Sequence, residues 1–311
     1  MQATNMLAPL RLRAALLTAC LSFGALHAGD PLEGIPKRSI VKVLLKHESA
    51  GILHEGRFIP EVRVLEIHEF NGVVFDSRGF ILSYVGTKWP KMRLPGSRFL
   101  VELEDGKRFS AKLVGLDERI SLAVLQSGVA ANREAVLGHS LRQGRLRFVA
   151  PDGLGWGAST LHVVRVSDHP LLPERELRTC GHESESREFA SPGSLVFDPG
   201  GRFVGFVTDA GKSVFEQKIR SYRIVPIQIL QRSAGGIIRQ GDQQRAGWLG
   251  VMLDPEAAEI RIHSVIAKSP AAAAGLLPGD VITRVNDVEL QDKTVFARSL
   301  QWAGADKRVR L

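Results

Sequence analysis

Between Phe70 and Leu125 the chain is broken into five short apolar runs, none long enough to make a helix. They are Val73 to Phe75, Phe80 to Leu82, Leu100 to Leu103, Ala111 to Val114 and Leu122 to Leu125. Asp76-Ser77-Arg78-Gly79 and Glu104-Asp105-Gly106 separate them with turn chemistry. Brief apolar segments bounded by Gly, Asp and Ser are the signature of half-buried strands joined by tight turns. The stretch predicts an antiparallel β-barrel and excludes a helical bundle.

The rest of the chain has material for more than one such unit. At 311 residues, with 44% hydrophobic and 24% charged side chains, it is long enough for two or three domains with real cores. No internal stretch reaches the ~18 consecutive apolar residues of a membrane span. At the N-terminus, Arg11 and Arg13 precede an apolar run from Ala14 to Leu26 that ends in small residues at Ala28. That order predicts a secretory signal peptide over residues 1–28 and an exported protein, periplasmic or extracellular. Leu17-Thr18-Ala19-Cys20 offers an alternative, a lipoprotein anchored through Cys20. Cleavage near Ala28 leaves Cys180 as the single cysteine, so no internal disulfide is expected. The net charge of +8 is dispersed, and no nucleic-acid-binding signature accompanies it; nucleic acid is not expected as a partner.

Ser39 to Leu45 reads as a first strand and Gly56 to Ile67 as a second, leading into a turn at Asn71-Gly72. Leu146 to Ala150, Leu161 to Val166 and Gly193 to Val207 supply strands for a second barrel. The run Ser233 to Arg245 is glycine-rich and polar and is expected to hold a domain boundary.

The order Gly-Val-Val-Phe-Asp-x-x-Gly-Phe-Ile-Leu-Ser from Gly72, then Val-Glu-Leu-x-Asp-Gly from Val101, then Leu-Ala-Val-Leu from Leu122, resembles the first barrel of the HtrA/Deg family of trypsin-like serine proteases. Arg223 to Leu230 resembles the segment that closes the family's protease domain. The resemblance implies a mainly β fold, a trypsin-like double β-barrel over residues 37–232. It also implies where the triad should lie. The histidine position holds Gly86, the aspartate position holds Ser121, and the nucleophile position is Ser191. Glycine cannot act as a base, and the family's oxyanion-hole glycine is replaced by Phe189, with Pro192 directly after the serine. Lys88 is the nearest ionisable substitute for the base, but it lies in a basic loop with Lys91 and Arg93 and not in a desolvated pocket. His139, His162, His169 and His182 have neither catalytic nor metal-ligand spacing, and Cys180 lacks the context of a nucleophile. No metal and no cofactor is expected.

After a linker over residues 233–246, Gly247-Trp248-Leu249-Gly250-Val251, Ser269-Pro270 with its alanine run, Pro278-Gly279-Asp280 and Asn286-Asp287 together resemble a bacterial PDZ domain, residues 247–311, of α+β type. By that resemblance Trp248, Leu249, Gly250 and Val251 hold a peptide's terminal carboxylate, and the peptide adds as a strand beside Val251 to Leu253. On the helix expected over Asp292 to Ala303, Phe296 is the residue predicted to reach the ligand. The chain stops at Lys307 to Leu311, where the family would continue into most of a final strand: either the module is trimmed, and an exposed sheet edge is expected, or the sequence is incomplete.

The reading that follows is a secreted, non-catalytic HtrA-like protein that binds peptide C-termini or unfolded segments in envelope quality control. A serine endopeptidase acting through Ser191, and a regulatory subunit of an active HtrA-like protease, are the alternatives. Homo-oligomers are compatible with all three.

Overall fold

The computed structural model describes residues 32–54, 57–129, 132–151, 156–180, 190–210, 219–241, 244–305 and 307–311. The expected signal segment and Cys20, together with Phe189 and His182, lie outside them.

The fold is mainly β, with two closed six-stranded barrels followed by a small α+β module. The first barrel contains β1 (Ile40–His54), β2 (Arg57–Val74), β3 (Phe80–Tyr84), β4 (Arg98–Glu102), β5 (Arg108–Asp117) and β6 (Leu122–Ser127), in the order β1-β2-β3-β6-β5-β4. The second contains β7 (Gly144–Pro151), β8 (Trp156–His169), β9 (Leu172–Cys180), β10 (Leu195–Phe197), β11 (Phe203–Ala210) and β12 (Ile219–Pro226), in the order β10-β11-β12-β9-β8-β7.

Strand periodicity explains the unbroken apolar run in β6. Side chains alternate across a strand. Ala123 and Leu125 point into the first barrel's core, while Leu122 and Val124 join a second cluster with Val149, Leu195 and Phe206 of the other barrel. Both faces are buried, so the strand has no polar side to show.

The turns at Asp76 and Asp105 form as expected. The Gly79 amide donates to Asp76 O and the Gly106 amide to Leu103 O. Asn71-Gly72 is not a turn. Both residues lie inside β2, with Asn71 opposite Lys42 and Gly72 opposite Val41 and Ser83. Barrel closure needs β2 to continue there, because β1 lies on one side of it and β3 on the other.

A helix, α1 (Ile227–Gln240), runs through Gly235 and Gly236 and ends on Gly241 in the left-handed conformation. Ile227, Leu230, Ala234 and Ile237 are its buried stripe, so the helix continues past Ser233, where the linker was expected to start. The apolar spacing outweighs the cost of two glycines, about 1 kcal/mol each. The following segment is held to the first barrel. Glu118 N donates to Gln244 O, Gln244 N to Leu116 O, and Ala246 N to the Glu118 carboxylate.

The C-terminal module comprises β13 (Val251–Leu253), β14 (Ile262–Val265), α2 (Pro270–Ala273), β15 (Arg284–Val285), β16 (Val288–Glu289) and α3 (Lys293–Ala303). Asn286 and Asp287 both have positive φ, as the tight β15–β16 turn requires. Ile260, Ile262, Ile282, Val285 and Phe296 make the core, and Leu171 from the β8–β9 hairpin packs against it.

Candidate active site

Gly86 opens a short 3-10 segment after β3, and Ser121 precedes β6. Their backbones are tied, with Val85 N donating to Ser121 O at 2.9 Å. Both residues have positive φ, +52° and +54°, and Ser121 is buried. The structure therefore brings the two resemblance-assigned triad positions to one place, and neither carries a base or an orienting acid. Lys88 is exposed on the same segment.

Ser191 is half-buried on the loop before β10. Its amide donates to Ser194 Oγ at 3.0 Å, and Ser194 N donates back to Ser191 O at 2.9 Å. The nucleophile's own N–H is one of the two donors of a trypsin-like oxyanion hole. Here a buried hydroxyl occupies it. Gly193 N is engaged by Val207 O and Gly193 O by the Asn71 amide, which pins the loop from both barrels. No hydrogen bond joins Ser191 Oγ to another described residue.

Tyr84, at the end of β3, lies against Gly193, and its hydroxyl sits 3.5 Å from Thr208 O. Burial is the main cause that pushes the phenol's pKa up, so it is a neutral filler and no base. Beside it opens a cavity of about 250 Å³ lined by Tyr84, Gly86, Ser121, Glu174, Arg298 and Trp302 among others. Glu174 is a residue the sequence reading missed. Its carboxyl is raised in pKa chiefly by burial, against the opposing pull of Arg298 and Arg223. Arg298 Nη1 donates to Glu174 Oε1 at 2.8 Å.

Among the described residues, no histidine lines this cavity. His139 is exposed and His162 half-buried. His169 Nδ1 accepts from Leu171 N at the tip of the β8–β9 hairpin, and burial, then Arg223, lowers its pKa. Among the described residues no cluster of three His, Cys, Asp or Glu could hold a metal ion.

The segment expected to bind a carboxylate, Trp248 to Val251, is held through its carbonyls. Leu249 O accepts from Ala271 N and Gly250 O from Ile266 N, both at 2.9 Å. Gly250 has φ +82°, and a Cβ there would lie 2.3 Å from Ser269 Cβ. Only glycine fits. Trp248, in the loop before β13, is 62% exposed, and Met252, in the middle of β13, is 57% exposed. Phe296 differs from its expected role. It is 2% exposed and belongs to the module's core, because the helical stripe Val295, Phe296 and Ser299 faces inward.

A PDZ-domain model matches residues 261–311. A probable periplasmic serine endoprotease of DegP-like type from Brucella suis is 27% identical over 256 residues, 73% of this chain and 47% of the relative. The corresponding Bartonella henselae protein is 29% identical over 75% of this chain and 49% of its own length. Serine endoprotease DegS of Haemophilus influenzae is 27% identical over 70% of this chain and 65% of its own. The chain thus spans about half the length of the first of these relatives. Among solved structures, the HtrA-type protease AlgW with a decapeptide is similar at a TM-score of 0.52 and 21% identity, covering 89% of this chain and 90% of that one. Two six-stranded barrels with a peptide-loop module behind them define a trypsin-like double-barrel protein with a C-terminal PDZ domain. Within that class, the chain is similar in sequence to curated DegP-like and DegS endoproteases of the HtrA/Deg family, and the structural neighbours share its fold.

Proposed function

We propose that this chain is an exported HtrA-like protein that binds peptide or unfolded-protein C-termini through its PDZ groove and does not hydrolyse them with Ser191. The observation that carries the reading is the Ser191 amide bonded to Ser194 Oγ, in a chain with Gly86 and Ser121 at the positions expected to hold base and acid. Residual catalysis in triad-deficient proteases relies on an intact oxyanion hole. The names of the relatives, periplasmic endoproteases, support export and an envelope setting. The peptide complexes of the structural neighbours support peptide binding, and the exposed Trp248 and Met252 beside Gly250 support its placement at the Trp248 to Val251 loop.

The test is labelling of the purified mature chain with a fluorophosphonate probe beside a Ser191→Ala control, with casein hydrolysis in parallel. A free-acid peptide and its C-terminal amide are titrated against the same sample. The reading expects no labelling, no hydrolysis and tighter binding of the free acid. Labelling that disappears in Ser191→Ala, together with casein cleavage, would make the chain a working endopeptidase.

A further inference from the structure

On helix α1, Ile229, Arg232 and Gly236 recur at spacings of three and four residues, so they share one face. That face lines a cavity of about 190 Å³ between the helix and the end of β5, where Asp117 and Arg119 lie, and Trp302 also contributes to the lining.

The charges around this cavity are unequal. Asp117 is fully buried and its oxygens are taken. Oδ1 accepts from the backbone N and the Nε of Arg119, and Oδ2 accepts from Arg119 Nη2 at 2.9 Å and Ser233 Oγ at 2.8 Å. Arg119 keeps Nη1, which donates to no other described residue. Arg232 is exposed, and its guanidinium has no hydrogen bond or ion pair to another described residue. One guanidinium neutralises the one carboxylate, and the second leaves the lining with a surplus charge of +1. The space itself has a cause in the sequence. Gly236 sits inside helix α1 without the positive φ that would demand glycine. A glycine at such a position weakens a helix and packs nothing. Its missing side chain, on the same face as Ile229, leaves the apolar part of the cavity open.

We propose that this cavity binds a small organic anion, a carboxylate carried on a ring or a short apolar body. The carboxylate is held by Arg232 and Arg119, and the body lies against Ile229, Gly236 and Trp302. Guanidinium groups present paired donors that match a carboxylate. An apolar cavity of about 150 Å³ is enough for benzene. One of about 190 Å³ therefore admits a single ring with its carboxylate and is too small for a peptide of several residues. The site is separate from Ser191 and from the Trp248 to Val251 loop, and it stands whether or not the peptide-binding reading holds.

The test is calorimetric titration of the purified full chain with benzoate, benzamide and acetate, with thermal unfolding measured alongside. Benzoate is expected to bind at least about tenfold more tightly than benzamide, which lacks the charge, and than acetate, which lacks the ring. It should also raise the unfolding temperature, as a ligand of the folded state does. Arg232→Gln, at an exposed position, is expected to lower benzoate affinity at least about fivefold and to leave benzamide unchanged. Gly236→Leu, which favours the helix and fills the cavity, is expected to abolish binding of both. No binding of benzoate at millimolar concentration overturns the proposal, and so do equal affinities for benzoate and benzamide. Benzoate binding that is indifferent to Arg232→Gln, or that survives Gly236→Leu, overturns it as well. If Gly236→Leu does not fold, Gly236→Ala decides: an unchanged affinity overturns the proposal.

Discussion

The loop around Ser191 and the loop around Gly250 are both tight turns with a glycine at positive φ, +94° at Gly193 and +82° at Gly250. They differ in which side of the peptide plane the fold engages. In the serine loop the amides turn inward, Ser191 N to Ser194 Oγ and Gly193 N to Val207 O. In the PDZ loop the carbonyls turn inward, to Ala271 N and Ile266 N, and the N–H groups of Trp248, Leu249 and Gly250 donate to no other described residue. An anion needs free donors that converge. Glycine content permits such a site, and the partners of the carbonyls decide whether it exists.

The largest effect expected from this comparison concerns hydrolysis. Restoring both side chains, Gly86→His with Ser121→Asp, should leave casein cleavage at background while Ser194 holds the amide. Each oxyanion donor contributes about 10²–10³-fold, so adding Ser194→Ala is the step expected to matter. Clear cleavage by the two-residue variant would break the contrast between the loops. Next in size, Gly250→Ala should lower affinity for a free-acid peptide at least about tenfold, since the methyl group collides with Ser269 and the loop must shift. Calorimetric titration measures this, and unchanged affinity would remove Gly250 from the carboxylate site. Ser269→Ala removes the N-cap bond to Ala272 N and the contact to Gly250 O. It should cost about 1 kcal/mol in urea unfolding and weaken the peptide only slightly.

The smallest effect is electrostatic. Burial raises the Glu174 pKa above its ordinary 4.5, so folding favours the protonated carboxyl. Its contribution to stability is full below pH 4.5 and is lost as the pH rises through the raised value. Relative to Glu174→Gln, the parent should therefore lose urea resistance between acid and neutral pH, by less than the loss in Ser269→Ala, because its ion pair opposes the burial. A parallel pH dependence in both proteins would show that Glu174 is ionised as easily folded as unfolded.

Much of this architecture is written in local sequence. The barrel follows from apolar runs with Asp-Gly turns, and the PDZ module from spacings that each perform a local task, such as the Ser269 cap and the Asn286-Asp287 turn. Gly86, Ser121 and Ser191 were assigned through the motifs by which the surrounding strands resemble the family. What escaped the reading is long-range. Glu174 and Arg298 are separated by 124 residues, and nothing near either one signals the other. Ser194 looks like an ordinary loop serine until the turn closes on Ser191. The helical stripe beyond Ser233 was hidden by the adjacent glycines, and the stripe that predicts helix α3 does not say which of its faces is core, so Phe296 was assigned outward.

The strand-like attachment of Gln244 to Leu116 and Glu118 has a mechanical meaning. The C-terminal module is tied to the connecting segment by Ala305 N on Arg245 O, and that segment is tied to the first barrel by the parallel Asp117–Gln244 bridge. These attachments lie at the base of the PDZ module, on the same flank as the Arg119–Trp302 contact. The junction is therefore a braced strut and not a free tether.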